Sequence, residues 1–556
     1  MSAAGDAHAQ MWAVVDDVLR AAFAGDAGTL HDTLRRQRSD AGSPADAALL
    51  GVACAIAAVV ACRFPVAIDE ADAAWDAATD APGDVRRLAA AALLMCDAMV
   101  GTDHAARRGI RLPEIVATLA APGRGHLLAC YLLAEAAMSA GAFAAIPPIL
   151  RATGLAPGQI SATPDGPVDG AALTLQLLLA RSFAFQGHTD QARGVLDAIS
   201  HAGARVPARA HAVVAAIAAF AAAGRADRIG FERLAGGVLR RTRGDVNYLS
   251  VGACFYVAWG MRALGQLQRA AGVLVAIAGA DLERSKLWDQ AFGLELLIEA
   301  SLERGDLASA KSQVARAAHL ARFPVAAASV ARAESIVAAS DGHRDDARTL
   351  ALAAIRLDEG AGAHTEVMRG KLVHAAAIAD DDPASAARLL AEVAAEADAY
   401  GLESVRLVAA RRWRRLRETH PELTGEIVML TARQRQIGAL LAEGHSNRAI
   451  AEALFLSPRT VQAHISDMLE ITGARSRVSL AARIGSSHGT DLSALSPRQR
   501  EIAGLIADGR RNAEIAHDLG LSEKTVENHI AAMFTRLGVR SRSAVAAAVP
   551  TAGVAG

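Results

Sequence analysis

Aromatic side chains are scarce in this chain of 556 residues: 12 Phe, 5 Trp and 4 Tyr make up 4% of it. Lysine is scarcer still. It occurs only at Lys286, Lys311, Lys371 and Lys524, so arginine supplies nearly all of the positive charge. The five cysteines, Cys54, Cys62, Cys96, Cys130 and Cys254, are odd in number and form no CxxC pair. They lie in apolar helical text, which argues against a disulfide framework and for buried free thiols. No basic segment followed by an apolar run opens the chain, so no signal peptide is expected. Apolar stretches such as 207–223 carry Arg or His at helical spacing and read as core helices, not membrane spans. A cytoplasmic protein is expected.

Signatures of chemistry are missing too. The P-loop pattern G-x-x-x-x-G-K-[ST] does not occur. The only Gly-Lys pair, Gly370-Lys371, is followed by Leu372, and Thr365 stands where the first glycine is needed for close backbone approach to phosphate. No strand–helix alternation near the start suggests a receiver domain. There is no G-x-S-x-G, no H-E-x-x-H and no Cys/His cluster with metal spacing, and the 17 histidines are scattered. The expectation is a non-enzyme with no metal and no cofactor.

What the chain has in quantity is alanine, within a composition 52% hydrophobic and 21% charged. Alanine is the best helix former, and an all-α protein is expected. The formal charge of −1 conceals an asymmetry: residues 406–542 hold 21 Lys/Arg against 14 Asp/Glu. A basic end on an acidic body suits an anionic partner such as nucleic acid, although surface composition alone can produce it.

Over roughly residues 10–417 an apolar helix repeatedly runs into a glycine, a short polar turn and a second Ala/Leu-rich helix. The turns begin at Gly101, Gly141, Gly187, Gly224, Gly265, Gly305 and Gly342, and a proline turn around Asp382 ends the series. Glycine suits the left-handed cap that ends the first helix; Asp190, Asp306 and Asp345 suit the start of the second. A spacing near 40 residues is that of stacked helical hairpins. The segment AFQGHTDQARGVLDAI resembles a tetratricopeptide hairpin. A compact irregular helical bundle is the alternative.

The last 125 residues contain one pattern twice. The 52 residues from Leu430 and those from Leu495 align without a gap at an offset of 65, with nearly half the positions identical. In each copy a capping-box start, Thr431-x-x-Gln434 or Ser496-x-x-Gln499, opens a first helix. Gly444 and Gly509 end it. Asn447 and Asn512 are placed to cap a short second helix, and Ser457 and Ser522 cap a third. Val461, Ile465, Met468 and Leu469 form the inward stripe of that third helix, matched by Val526, Ile530, Met533 and Phe534. At 100° per residue, Arg459, Gln462, Ala463 and Ser466 fall on the opposite face, as do Lys524, Glu527, Asn528 and Ala531. Cationic, polar and small side chains near the N-terminal end of an exposed helix suit a major-groove recognition helix, or else form a solvated face.

The combination L-[TS]-x-R-Q-R-x-I, G-x-x-N-x-x-I-A and L-S-x-x-T-V-x-x-H-I resembles the LuxR-type output domain. The residues that carry the resemblance are Arg433, Asn447, Ser457, Thr460, Val461, His464, Gly473, Arg475, Ser476 and Arg477, and again Arg498, Asn512, Ser522, Thr525, Val526, His529, Gly538, Arg540, Ser541 and Arg542. The resemblance implies four-helix DNA-binding domains whose last helix often dimerises. It implies DNA contacts from Arg459, Thr460, Gln462, Ala463, Ser466, Arg475 and Arg477 in copy one. In copy two it implies Lys524, Thr525, Glu527, Asn528, Ala531, Arg540 and Arg542. His464 and His529 read as packing residues beside the core stripe. Copy one departs from the pattern at Ala432 and at Ile471-Thr472, and copy two at the acidic Glu527, which leaves open whether both copies read DNA.

The expected layout is a tetratricopeptide-like array (α-solenoid) over 1–420, then LuxR-type helix-turn-helix domains at 428–484 and 493–550, joined by a flexible connection, GSSHGTDLSA. It is similar to the MalT-like regulators without their ATPase. The expected function is a sequence-specific transcription regulator of bacterial type, bound to double-stranded DNA in the nucleoid. The array would take its signal from a protein or small-molecule effector, and a homodimer is one possible assembly. A scaffold whose helix-turn-helix copies serve dimerisation, and a sigma-factor-like promoter binder, are the alternatives. Arg459, Lys524, Arg475, Arg477, Arg540 and Arg542 speak against the scaffold.

Overall fold

The computed structural model describes residues 3–25, 27–161, 168–203, 206–421, 423, 430–485 and 494–549. Among the described residues every regular element is helical, as the alanine content predicts. None of these helices is long and apolar enough to cross a membrane. The chain divides into two compact units, one of residues 1–378 with 400–405, the other of residues 379–399 with 406–556. The expected connection between the helix-turn-helix copies falls mostly on residues 486–493, outside the described residues.

The first unit is built from paired helices. From residue 170 onward the first helices of successive pairs are Gly170–Phe185, Ala208–Gly224, Tyr248–Ala263, Leu287–Glu303, Pro324–Ser340 and His364–Ile378. Each of the first five packs on the corresponding helix of the next pair as well as on its partner in its own hairpin. These five helices are mostly apolar and lie buried on several sides, as a helix between layers must. Their partners, such as Thr189–His201 and Leu307–Ala317, bury one stripe and expose the rest.

The turn glycines do what the sequence asks of them at Gly187, Gly265, Gly305 and Gly342, which have φ of 86°, 77°, 75° and 87°. The residue after each donates its N–H back five residues, as His188 does to Phe183 O and His343 to Ala338 O, closing the preceding helix. Gly224 departs from expectation. It belongs to the helix, and the left-handed position is taken by Ala226 at φ 57°. Asp306 caps its helix through the Ser309 N–H; Asp190 and Asp345 lie inside the first turn of theirs, where a negative charge complements the helix dipole. The five cysteines are free thiols. Four are buried and Cys62 is half-buried, and burial pushes Cys54, Cys62 and Cys130 up to about 12.

Charge is buried in this unit in a way its apolar text hides. Arg332 is fully enclosed and donates to Glu295, Asp358, Glu366 and Ser329, joining helices of four elements. Arg262 and Arg369 also donate to Glu295, whose carboxyl these arginines hold far below its ordinary value although burial alone would raise it. Removing one partner from such a site leaves a buried charge uncompensated, at a cost of about 3–5 kcal/mol.

Candidate nucleic-acid interface

In the second unit the duplicated text folds twice into the same four helices. Copy one has Ala432–Ala442, Asn447–Leu454, Pro458–Thr472 and Arg477–Gly485; copy two has Pro497–Ala507, Asn512–Leu519, Glu523–Leu537 and Arg542–Ala548. Both capping boxes are closed. The Thr431 hydroxyl accepts from the Gln434 N–H at 3.0 Å, and the Thr431 N–H donates to Gln434 Oε1 at 3.1 Å; Ser496 and Gln499 repeat this at 3.3 and 3.1 Å. Ser457 and Ser522 cap the third helices through the N–H groups of Thr460 and Thr525. The second helices are capped otherwise than the sequence suggests. Ser446 accepts from Ala449 in copy one, and in copy two Glu514 reaches back to the Arg511 N–H.

Asn447 and Asn512 therefore have another task. The side-chain oxygen of each accepts from an arginine at the start of the fourth helix, Arg477 at 2.5 Å and Arg542 at 2.6 Å. The same arginines also donate to the carbonyls of His445 and Arg510. Both guanidiniums are half-buried, and that burial pushes them below the usual arginine value. Arg477 and Arg542 thus brace the loop before the second helix, a role separate from the DNA contacts expected of them. Arg433 and Arg498, from the motif's R-Q-R run, similarly tie the first helix to the end of the second by donating to Leu454 O and Leu519 O.

The third helices bury Val461, Ile465 and Met468, and Val526, Ile530 and Met533, as the stripe predicts. Arg459, Thr460, Gln462, Ala463, Ser466 and Arg475 are exposed, as are Lys524, Glu527, Asn528, Ala531 and Arg540; Thr525, His464 and His529 are half-buried. The structure therefore brings eleven of the fourteen expected contact residues to the surface, on or just after the third helices. The two faces are not equivalent. Gln462 accepts from the Asn447 amide at 2.7 Å, and Arg459 has no ion-pair partner among the described residues. At the matching positions of copy two, Lys524 and Glu527 pair with each other at 3.1 Å. The turn before the third helix differs as well. Copy two uses Gly520 at φ 63°, whereas copy one puts Phe455 in the left-handed region at φ 54°, with its ring 96% exposed.

The copies are not separate beads. Their fourth helices pack on each other, and the approach is so close that a Cβ on Gly485 would sit 2.4 Å from Ala547 Cβ. Around this seam the contacts are reciprocal. Gly444 of copy one lies against Ser541 and Ala544 of copy two, and Gly509 of copy two lies against Ser476 and Ser479 of copy one. Each of these residues is the other's counterpart at the offset of 65, so the pair is isologous, as in a two-fold dimer. Ala482 of copy one joins the core of copy two, with Val478 against it. Small side chains permit this approach, which joins within one chain the last helices that the resemblance marks as a common dimerising element.

Comparison with known proteins gives the same two segments. Residues 428–484 and 493–549 both match the model of the GerE domain, described as bacterial regulatory proteins of the luxR family. A stretch of 50 residues is 50% identical to the "Probable HTH-type transcriptional regulator GfsR" of Streptomyces halstedii, over 9% of this chain and 21% of that protein. Another of 49 residues is 45% identical to the spore germination protein GerE of Bacillus subtilis, over 9% of this chain and 66% of that protein. The chain thus covers less than two thirds of the length of these relatives, and each likeness is about one domain long. With the helix order, the caps and the duplicated motif, it follows that this chain carries two helix-turn-helix domains of the luxR family, folded together as an internal pair.

Proposed function

We propose that the protein is a transcription regulator whose two LuxR-type domains read double-stranded DNA as one preassembled unit, with the helical array before them serving as the input module. The observation that carries this reading is the reciprocal seam: it joins the copies through their fourth helices while both third-helix faces remain exposed. One chain then presents two recognition helices, as a dimer of single-domain regulators would, and engages two neighbouring half-sites about one DNA turn apart, ~34 Å. The relatives' names as transcriptional regulators support the same assignment. Exposed Arg459, Arg475 and Arg540 supply phosphate contacts, and Gln462, Ser466 and Asn528 stand where base edges are read.

The test is a mobility shift of the full chain on genomic fragments, with a salt series and a measured stoichiometry. One chain per site is expected, with affinity falling steeply as salt rises because arginine–phosphate contacts release counterions. Salt-independent binding, or a requirement for two chains per site, defeats the paired-reader model. Deletion of the array tests its input role: regulation in cells that is unchanged by truncation before residue 425 removes that part of the reading.

A further inference from the structure

The aromatic residues that the chain has so few of are gathered in one place. Phe185, Phe220, Tyr256, Trp259, Trp288 and Phe292 come from four helices of the array. Trp259 meets Phe185, Tyr256, Phe220 and Phe292 with ring centres 5.0, 5.3, 6.2 and 6.0 Å away. Beside them lies a cavity with about 580 Å³ of unfilled space, counting its mouth. Its walls carry charge. Glu135, 1% exposed, accepts from Lys286 at 2.9 Å, from the Tyr248 hydroxyl at 2.9 Å and from Arg181 at 2.6 Å. Burial pushes the Glu135 carboxyl up, but Arg181 and Lys286 outweigh it and hold it at about 2.

The groups left over in this cavity are mainly donors. Arg181 Nε and Trp259 Nε1 are buried and have no hydrogen-bond partner. Glu135 is already occupied by three donors. Asp289, the other acid on the wall, is 6% exposed; burial pushes its carboxyl up, more than Lys286 and Arg181 bring it down. Arg181 and Lys286 thus face Glu135, which they hold ionised, and Asp289, whose ionisation burial opposes, and the unmet N–H groups call for an acceptor brought from outside. A buried donor left unsatisfied destabilises the fold, a loss that a suitable ligand recovers. The remaining wall is apolar, with Leu177, Leu178, Val213 and Ile217.

We propose that this cavity binds a small monocarboxylate with an apolar or aromatic body, its carboxylate received by Arg181 and Lys286 and its body lying against Leu177, Val213 and Tyr256. The assignment deepens the reading of the array as an input module and rests on it only for its biological consequence; the site itself stands on the cavity.

The experiment is calorimetric titration of the full chain with benzoate, phenylacetate, indole-3-acetate and octanoate, and with the methyl ester of each. At least one acid binds saturably, one per chain, and roughly tenfold or more tighter than its ester, the difference a charge-assisted hydrogen bond makes. Gly252 lines the cavity, and a Cβ placed there meets nothing within 4 Å. Gly252→Leu therefore fills the space without disturbing the charged cluster, and should weaken binding at least tenfold with no fall in Tm. Trp259→Phe, which keeps the ring and removes the N–H, separates the hydrogen bond from the packing. Binding of no acid, equal binding of esters, or unaltered binding by Gly252→Leu overturns the proposal. DNA affinity measured with the acid bound decides the other question: if it does not change, the input reading falls while the site stands.

Discussion

The two helix-turn-helix copies share their caps, their core stripe and their arginine braces, yet they present different charges to solvent. Over the first part of the third helix copy one has Arg459 unpaired and no acid through Ser466, whereas copy two has Lys524 between Glu523 and Glu527. The internal residues of a duplicated domain are held by packing, so they stay alike. The outward residues are held only by what they touch, so they diverge. On the proposed reading, the difference makes copy one the stronger reader of a phosphate backbone, with copy two contributing through the pairing.

The largest effect is expected from breaking the pair itself. Gly485→Leu drives a side chain into Ala547 at a point where even a Cβ has no room. Each copy keeps the greater part of its core, Ala482 and Val478 being the side chains shared across the seam, so helicity should hold while affinity for the composite site falls by roughly 100-fold, the loss of a high effective concentration. A footprint of unchanged length and affinity would show that the seam does not serve DNA binding. Next comes Arg459→Ala, which should weaken binding roughly tenfold and lower the salt slope by about one. Lys524→Ala should do distinctly less, because Glu527 already neutralises that charge. Equal effects in a parallel mobility-shift series would erase the distinction between the copies.

A smaller change separates the turns. Phe455→Gly places at φ 54° the residue type that copy two already uses there. It should stabilise copy one by about 1 kcal/mol in denaturant unfolding, since a side chain in the left-handed region costs about that much. A loss of stability would mean that the exposed ring packs on something in solution. The smallest effect is expected from Glu527→Gln. Freeing Lys524 from its partner should raise affinity about threefold at low salt and hardly at all at high salt, as suits an exposed pair worth under about 1 kcal/mol.

These contrasts follow from features of unequal visibility in the sequence. The duplication, the capping boxes and the inward stripe were legible because each depends on residues within one helical turn or one domain length of each other. The cap of the second helix was misread because Asn447 and Asn512 are good capping residues in themselves; what they bind, Arg477 and Arg542, lies 30 residues on. The seam was hidden because Ser476, Ser479 and Gly485 read as ordinary small residues, and a polar connection suggested independent domains. In the array, the repeat of glycine turns announced the hairpins. Nothing announced that Arg332 would be enclosed, or that Lys286 and Glu135, 151 residues apart, would meet at 2.9 Å. Burial of charge depends on partners from several hairpins, which local pattern does not record.

The isologous seam between unlike halves has a consequence of direction. A regulator built from two identical chains meets its operator the same way round from either end, and turning the operator over changes nothing. Here the halves are joined in one chain and differ at Arg459 and Lys524, at Gln462 and Glu527, and at Ala463 and Asn528. A site that fits them has a head and a tail. Inverting that site beside a promoter exchanges which copy lies nearer the start of transcription, so orientation becomes information that the protein itself reads.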